Sequence, residues 1–384
     1  MKEYIAFDSH KHYTLVERED VQTKRVVQQR IEHQRGTIRG YLRNCEPGTP
    51  VAVEATGNWY WIIDEIEQAG LAPRLVHPRK AKLMMGMINK TDKLDVHGLN
   101  VLQRNRTLPT VWIPPGEIRD LRELTRGRMV LTRQATRLKN RIQATLAKYG
   151  LGVRQSTDAF GKGGRKEMTS LVPQLPAHTR WMTDLQLEVL DTLTPRIERI
   201  EARLKQLLKR TPPMQRLESL PGVGTILAAV IAFEMGDVRR FAGAERFASY
   251  AGTTPRVHSS GDKTRYGQLR RDVNHYLKWA FIEAANCVAL HHKTHEERHV
   301  SKLYASLRQR KGHSKAIGAV ARHLAEAAYH VSRRDRIYRD PSLGQRRGRR
   351  ARPPHEPTCI GSGSECDTPS EYIHAPHEGE EMIG

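Results

Sequence analysis

The chain has 384 residues, enough for two or three domains with sizeable hydrophobic cores. Its 64 Lys and Arg residues outnumber 42 Asp and Glu residues, so the formal net charge is +22 and a polyanionic partner such as nucleic acid is favoured. A solvated basic surface or an anionic membrane partner are the alternatives. No run of 18 apolar residues occurs and the N-terminus shows no signal-peptide pattern, so we expect no membrane span. Four scattered cysteines fit a reducing, cytoplasmic compartment.

Strand and helix patterns alternate over residues 1–110, which predicts an α/β domain with helices on the faces of a sheet. Strand patterns at 4–7 and 13–16 predict a hairpin, and a polar helix is predicted near residues 21–43. The remaining patterns, in chain order, are a strand at 51–53, a helix at 59–68, a strand at 74–77 and a helix at about 91–104.

Two heptad-like seams predict a pair of long helices within residues 111–212. The first, over 115–150, consists of Leu121, Leu124, Arg128, Leu131, Ala135, Leu138 and Ile142. The second consists of Leu190, Leu193, Ile197, Ile200, Leu204 and Leu207, with Pro195 predicted to start a helix after an N-cap at Thr194. A glycine-rich, irregular segment is predicted between them, at 151–182. An antiparallel coiled coil within one chain, the same pairing across a dimer, and two ordinary amphipathic helices all fit this spacing.

Four carboxylates lie at the ends of predicted strands and on one predicted helix face. Asp8 and Glu54 each end a strand pattern, and Asp92 and Asp95 lie three residues apart on a helix. Mg²⁺ prefers oxygen ligands, and paired cations roughly 3.5–4 Å apart stabilise in-line displacement at phosphorus. Each residue alone is compatible with a turn, a cap or a first-turn charge. Together they predict a Mg²⁺ site for phosphodiester chemistry, in an order that matches an RNase H-like or RuvC-like core.

Residues 213–338 are predicted to be mostly helical, with a tight turn at Leu220-Pro221-Gly222-Val223-Gly224. Such a turn resembles a helix-hairpin-helix element, in which backbone N–H groups, here near Gly222 and Gly224, grip a nucleic-acid phosphate. An ordinary turn between two helices is the alternative. A group of histidines at His291, His292, His295 and His299 is interpreted as polar helix positions rather than as a metal site.

Two serines, Ser259 and Ser260, precede Gly261 in a strongly basic segment. The basic residues predicted to contact nucleic-acid phosphates are Arg256, Lys263, Arg265 and Arg271. A serine hydroxyl becomes a nucleophile when a base, a metal or a positive environment activates it. The alternative is a phosphate-binding loop in which the serines only donate hydrogen bonds.

Residues 339–384 are predicted to form a disordered tail. It begins with a cluster of arginines and continues, from residue 355, without Lys or Arg but with several Asp and Glu residues.

The combination of motifs resembles the IS110/IS1111 family of insertion-sequence transposases over residues 1 to about 330. The residues that carry this resemblance are Asp8, Glu54-Ala55-Thr56-Gly57, Lys90-Thr91-Asp92-x-x-Asp95, Leu220-Pro221-Gly222-Val223-Gly224, Tyr250-Ala251-Gly252, Pro255-Arg256, Ser259-Ser260-Gly261 and Gly267. The chain departs from the family pattern at Asp262, where a second glycine is common, and in its longer acidic tail.

The resemblance implies three parts: a RuvC-like domain with a metal-binding Asp-Glu-Asp-Asp tetrad, a coiled-coil insertion, and a transposase domain with a catalytic serine. The tetrad maps onto Asp8, Glu54, Asp92 and Asp95, and the serine onto Ser260, with Ser259 as the near alternative.

The resemblance also implies a mode of action. The serine forms a covalent 5′-phosphoserine link to DNA, and strands are exchanged through a Holliday junction at composite sites shared between subunits of a dimer or tetramer. A structured noncoding RNA pairs with donor and target DNA at the nucleoid of a prokaryotic cell. The alternatives are a RuvC-like junction-resolving nuclease that uses metal-activated water, and a noncatalytic nucleic-acid-binding protein.

Overall fold

The computed structural model of the protein describes residues 3–86, 91–261, 263–270 and 272–344. Its N-terminal part is a five-stranded mixed sheet in the order β3-β2-β1-β4-β5. The strands are β1 Glu3–Ser9, β2 Tyr13–Asp20, β3 Val26–Glu32, β4 Pro50–Glu54 and β5 Ala72–Val76. The first three strands are antiparallel, whereas β4 runs parallel to β1 and β5 runs parallel to β4.

Each face of the sheet is covered by helices, as the alternating strand and helix patterns predict. Ile5, Phe7, Val51 and Val53 point to one face and pack with the helices α1 Thr37–Leu42 and α2 Trp59–Gln68. On the other face, small side chains such as Ala6 and Ala52 pack with α3 Pro78–Met85 and α4 Asp92–Arg104. Because side chains alternate along a strand, Asp8 and Glu54 belong to this second face.

The prediction of a helix near residues 21–43 is wrong. This segment forms β3, which pairs with β2 along its whole length, and then the short helix α1. Six of the seven β3 residues are exposed at this edge of the sheet, so the strand lacks the apolar alternation that identifies a strand in sequence.

The two predicted seams pair as antiparallel helices within one chain. These helices are α5 Gly116–Lys148 and α7 Ala177–Arg210. Arg128 Nε donates to Glu201 at 2.8 Å, and the hydroxyls of Tyr149 and Thr179 lie 3.2 Å apart, so the end of α5 lies beside the start of α7. Arg128, which interrupts the heptad pattern, therefore makes an ion pair across the seam.

Two local predictions in this region are wrong. Residues 151–182 are not simply irregular, because they include the helix α6 Lys162–Leu171 and a short 3₁₀ turn at Val172–Gln174. Met168 and Val172 are buried in this segment against Ile142 and Leu146 of α5. Pro195 does not start a helix but lies inside α7, where Thr194 Oγ1 donates to Leu190 O instead of capping.

The C-terminal part is helical apart from one hairpin. Its helices are α8 Pro212–Glu218, α9 Thr225–Met235, α10 Ala244–Tyr250, α11 His275–Leu290, α12 His299–Lys311, α13 His313–Arg333 and α14 Pro341–Gly344, with a 3₁₀ turn at Val238–Arg240. The strands β6 Pro255–Ser260 and β7 Lys263–Leu269 form the hairpin. Phe247 and Phe281 are fully buried at the centre of the helical core.

A buried ion-pair cluster joins α5 to this helical core. Glu234 of α9 is inaccessible to solvent, and its carboxylate accepts hydrogen bonds from Arg126 at 2.7 and 3.0 Å and from Asn274 at 2.9 Å. Arg122 donates to the carbonyl oxygens of Phe233 and Glu234 at the end of α9. These contacts fix the long helix against the C-terminal core.

The tail predicted from residue 339 begins within the described residues. Asp340 accepts hydrogen bonds from the backbone N–H of His299 at 3.1 Å, and α14 follows. The arginine cluster and the acidic segment lie outside the described residues. No helix among the residues that the structure describes is long and apolar enough to span a bilayer.

Candidate metal site and serine hairpin

Asp8 lies at the end of β1, the central strand of the sheet, and is 5% exposed. Burial raises the pKa of its carboxyl; the nearby His10 opposes this shift, whereas Asp95 and Asp92 add to it. A buried carboxylate beside two others is electrostatically costly without a cation, since like charges close together disfavour ionisation. The arrangement therefore favours a bound positive charge at this end of β1.

Asp92 approaches Asp8 from the first turn of α4. Thr91 caps this helix by accepting a hydrogen bond from the N–H of Leu94 at 3.3 Å, as expected for an N-cap threonine. Tyr13 OH donates to Asp92 Oδ2 at 3.0 Å, and the guanidinium of Arg30 lies 3.8 Å from the centre of the Tyr13 ring. These contacts from β2 and β3 hold the Asp92 carboxylate towards the end of β1.

His10 lies between the two carboxylates. Its Nε2 is 3.2 Å from Asp8 Oδ2 and 3.3 Å from Asp92 Oδ2. The turn that carries it is held from the segment after Glu54, because Asn58 Nδ2 donates to His10 O at 2.7 Å and Thr56 Oγ1 donates to Asn58 Oδ1 at 2.8 Å. The Glu54-Ala55-Thr56-Gly57 motif thus supports the end of β1 by hydrogen bonds.

Polar contacts set the position of α4 on the sheet. Glu17 of β2 is fully buried and its carboxylate meets His97 Nδ1 at 3.0 Å, Asn100 Nδ2 at 3.1 Å and Gln28 Nε2 at 2.7 Å. One turn further on, Arg104 donates to Glu19 at 2.7 Å. These contacts fix the rotation of α4 and therefore the direction of its first turn, which carries Asp92 and Asp95.

The structure brings part of the predicted tetrad together. Asp8, His10 and Asp92 offer ligand atoms that all lie within 4.8 Å of one another, the one such group of three in the described ranges. Asp95 lies outside this group but close enough to affect the pKa of Asp8. Glu54 also lies outside it, although its backbone is well placed, since the register pairs Phe7 with Val53 and makes Asp8 and Glu54 neighbours on adjacent parallel strands.

The donor set fits a divalent metal ion. It combines carboxylate oxygens, which suit Mg²⁺, with one imidazole nitrogen. His10 Nε2 is buried and lies 3.2 and 3.3 Å from the two carboxylate oxygens, without a well-formed hydrogen bond to either among the described residues. A metal ion would satisfy this nitrogen and offset the charges of both carboxylates.

The serines lie on the β6–β7 hairpin, which is exposed along nearly all of its length. Ser260 pairs with Lys263 across the tip, and His258 pairs with Arg265. Among the described residues, the Ser260 hydroxyl has no hydrogen-bond partner, whereas Ser259 Oγ lies 3.4 Å from Thr264 Oγ1. Arg256 also lies on the hairpin, and Arg271 lies outside the described residues. The tip presents a serine hydroxyl in a basic, solvent-accessible setting.

The contacts at the base of this hairpin lie within the C-terminal part of the chain. At the base of the hairpin, Arg270 contacts Ser249 at 3.2 Å and Asp272 at 3.1 Å, both in the C-terminal part. The chain therefore carries the carboxylates and the serine in two separate halves.

The predicted turn at Leu220–Gly224 joins α8 to α9, and its first glycine has a packing role. Gly222 has φ +74, and a Cβ there would lie 2.3 Å from the carbonyl oxygen of Ala284 in α11. A groove of about 680 Å³ beside the turn is lined by Glu198, Glu201 and Glu283 together with Lys205. Three carboxylates disfavour a phosphate there, so the geometry gives little support to anion binding at Gly222.

Sequence reasoning missed His10, Tyr13 and Asn58 as members of the site. The Asp-x-His spacing at a strand end was a signal for His10, but the Tyr13–Asp92 contact depends on the tertiary fold. The histidines at 291–299 do not form a metal-ligand cluster within the described part of the chain: His291 Nδ1 lies 3.0 Å from Cys287 O, and His292 Nδ1 lies 2.6 Å from Ala289 O.

Two family models match the chain, each to one of these halves. A transposase model of the DEDD type from IS110 elements matches residues 5–150, which include the sheet and α4. A model described as the transposase IS116/IS110/IS902 family matches residues 214–301, which include the serine hairpin.

Curated relatives agree with these matches. A probable family 20 transposase from Pseudomonas aeruginosa is 28% identical over 263 residues, covering 67% of this chain and 76% of the relative. The transposase for insertion sequence element IS1111A of Coxiella burnetii is 26% identical over 299 residues, covering 75% and 79%. The transposase for insertion sequence element IS1328 of Yersinia enterocolitica is 24% identical, covering 64% and 72%.

Proposed function

The chain belongs to the IS110 family of insertion-sequence transposases, and we propose that it is a metal-dependent DNA recombinase in which Ser260 attacks the DNA backbone. We further propose that the N-terminal domain has an RNase H-like, RuvC-like fold. The order of its carboxylates supports this: Asp8 ends the central strand, Glu54 ends the adjacent parallel strand, and Asp92 and Asp95 open a helix packed on the same face.

The proposed metal site rests on one observation, the approach of Asp92 to the buried Asp8 with His10 between them. Mg²⁺ is the proposed ion, and when bound it would stabilise the negative charge that develops on a scissile phosphate. Asp8 and Asp92 would hold the ion, Tyr13 would orient Asp92, and Asp95 and Glu54 would complete the site when DNA is bound.

The proposed nucleophile is Ser260, because it lies exposed at the tip of a basic hairpin. Its Oγ forms a bond to phosphorus, the bond from phosphorus to the 3′ oxygen breaks, the serine proton passes to solvent, and the 3′ oxygen takes up a proton. Arg256, Lys263, Arg265 and Arg271 would bind the flanking phosphates. Gly222 serves packing, and the carboxylates of the groove that Gly222 and Gly224 both line do not favour a phosphate contact at either glycine.

The separation of the two halves supports a composite site between subunits. We propose that the carboxylates of one subunit act with the serine of another in a dimer or tetramer, and that a structured noncoding RNA supplies the recognition of donor and target DNA. The net charge of +22 is compatible with both nucleic acids.

A suicide DNA substrate with a nick near the cleavage site tests this function. With Mg²⁺ and the noncoding RNA of the element, the full-length protein and the matched control Ser259→Ala should form a covalent protein–DNA adduct, and Ser260→Ala and Asp8→Asn should form none. Cleavage without an adduct, retained in Ser260→Ala, would instead identify a junction-resolving nuclease that uses water. Recombination unaffected by Asp8→Asn would exclude a catalytic role for the carboxylates.

A further inference from the structure

The most specific feature of the carboxylate cluster that the tetrad does not explain is the imidazole of His10. Its Nε2 is buried, contacts oxygens of both Asp8 and Asp92, and has no hydrogen-bond partner in the described part of the chain. A buried, unpaired nitrogen costs free energy unless a partner satisfies it. The atom is therefore suited to a ligand that binds between the two carboxylates.

The distances fit metal coordination better than hydrogen bonding. Two ligands in adjacent positions of an octahedral ion with bonds of about 2.1 Å lie about 3.0 Å apart. His10 Nε2 lies 3.2 Å and 3.3 Å from the two carboxylate oxygens, only slightly further than this spacing. The ligand atoms of all three residues also lie within 4.8 Å of one another, close enough to surround one ion.

The ring is held in place by its surroundings. The backbone N–H of His10 donates to Tyr13 O at 2.9 Å, its carbonyl accepts from Asn58, and its ring centre lies 4.6 Å from that of Tyr13. Tyr13 also donates to Asp92 Oδ2, so one side chain contacts both the imidazole and a carboxylate. Contacts of this kind orient metal ligands before the ion binds.

We propose that His10 Nε2 is a third protein ligand of the metal, beside Asp8 and Asp92, and that this nitrogen makes the site bind Mn²⁺ more tightly than Mg²⁺. Imidazole suits first-row transition ions, whereas Mg²⁺ favours oxygen ligands. The inference rests on the proposed function for the existence of a metal site, and it adds a ligand and a metal preference.

Electron paramagnetic resonance of Mn²⁺ bound to the full-length protein tests this ligand directly. Electron spin-echo modulation should show nitrogen coupling in the wild type and in His12→Ala, a control that removes an exposed histidine from the same turn. The coupling should disappear in His10→Ala and in His10→Gln, the second of which keeps a polar side chain. Titrations should show the ratio of Mn²⁺ to Mg²⁺ affinity falling at least about tenfold in both His10 variants.

The outcomes distinguish the role of His10 as a metal ligand from the existence of the metal site itself. Specific Mn²⁺ binding without nitrogen coupling, or coupling that persists in both His10 variants, would overturn the ligand while leaving a carboxylate metal site intact. Absence of specific Mn²⁺ binding in the wild type, together with adduct formation in the presence of a chelator, would overturn both the inference and the metal-dependent part of the proposed function.

Discussion

At the scale of single residues, the Asp8 carboxylate lowers the stability of the metal-free protein, although the proposed metal site requires it. Its carboxyl is buried beside two other carboxylates, which is unfavourable for the folded protein without metal. Catalytic sites commonly hold groups with perturbed pKa values for this reason. Removing the charge should therefore stabilise the metal-free protein while it destroys metal binding.

Asp8→Asn should change how stability depends on pH. Because the folded state raises the pKa of Asp8, its contribution to stability is fully present below the ordinary aspartate range and is lost as pH rises through the raised pKa. In the presence of a chelator, the free energy of unfolding of the wild type should therefore fall relative to that of Asp8→Asn as pH rises from about 3 to about 8. Chemical denaturation across this range measures the difference.

Asp20→Asn is the matched control with the opposite sign. Hydrogen bonds from Thr23 and Gln22 lower the pKa of Asp20, so its contribution to stability is present above the ordinary aspartate range and is lost as pH falls through the lowered pKa. The wild type should lose stability relative to Asp20→Asn at low pH. A difference between wild type and Asp8→Asn that does not vary with pH would contradict the assigned environment of Asp8.

The residues of the site were predictable in part. Asp8 and Asp92, which the structure brings together, can be singled out in the sequence because strand ends and helix starts are local features. His10 and Tyr13 act through contacts that form only when the β1–β2 hairpin meets α4, about 80 residues later. Local patterns contain no information about such a contact.

At the scale of elements, the two glycines of the α8–α9 turn have different roles. Gly222 adopts φ +74 against the backbone of α11, whereas Gly224 has φ −97 and open space where a Cβ would lie. An l-amino acid side chain is strained in the first position and tolerated in the second.

Gly222→Ala should destabilise the protein by about 2 kcal/mol or more, because it combines backbone strain with overlap at Ala284 O. Gly224→Ala should change stability by less than about 1 kcal/mol. Urea unfolding of both variants measures this, and equal stability losses would contradict the assigned packing role of Gly222.

The buried ion pair between α5 and α9 should dominate the stability of their junction. Glu234→Gln leaves Arg126 and Arg122 without a buried counter-charge and should cost about 3–5 kcal/mol. Glu326→Gln breaks a more exposed ion pair with Arg322 within α13 and should cost less than about 0.5 kcal/mol. Similar unfolding midpoints for the two variants would show that the Glu234 cluster does not hold the helices together.

Elements with strong periodicity were predicted well, and those without it were not. The heptad seams correctly predict α5 and α7, although α7 is longer than its seam and runs through Pro195. Strand β3 was missed because an exposed edge strand needs no apolar face, and its identity depends on pairing with β2. The β6–β7 hairpin is likewise exposed and has no apolar face, so its sequence indicates only a basic segment.

At the scale of the whole molecule, the carboxylates and the serine belong to two halves, and the long helix α5 and the Glu234 cluster help to connect them. Arg119 and Arg122 of α5 contact the two halves in turn, since Arg119 donates to Asp64 at 2.7 Å and Arg122 contacts the end of α9. Helix α5 thus contacts both halves of the chain. This placement of the carboxylates and the serine in different halves is compatible with an active site that a second subunit, bound to the same DNA, completes.

The central claim, that the carboxylates of one subunit act with the serine of another, is tested by mixing inactive variants. Asp8→Asn and Ser260→Ala, each carrying a tag of different mass, are coexpressed and incubated with the suicide substrate, the noncoding RNA of the element and Mg²⁺. Each variant alone should form no covalent adduct. The mixture should form one, carried only by the Asp8→Asn subunit, because that subunit keeps Ser260 and its partner keeps Asp8. A mixture that contains both tags in one assembly but forms no adduct would contradict the account.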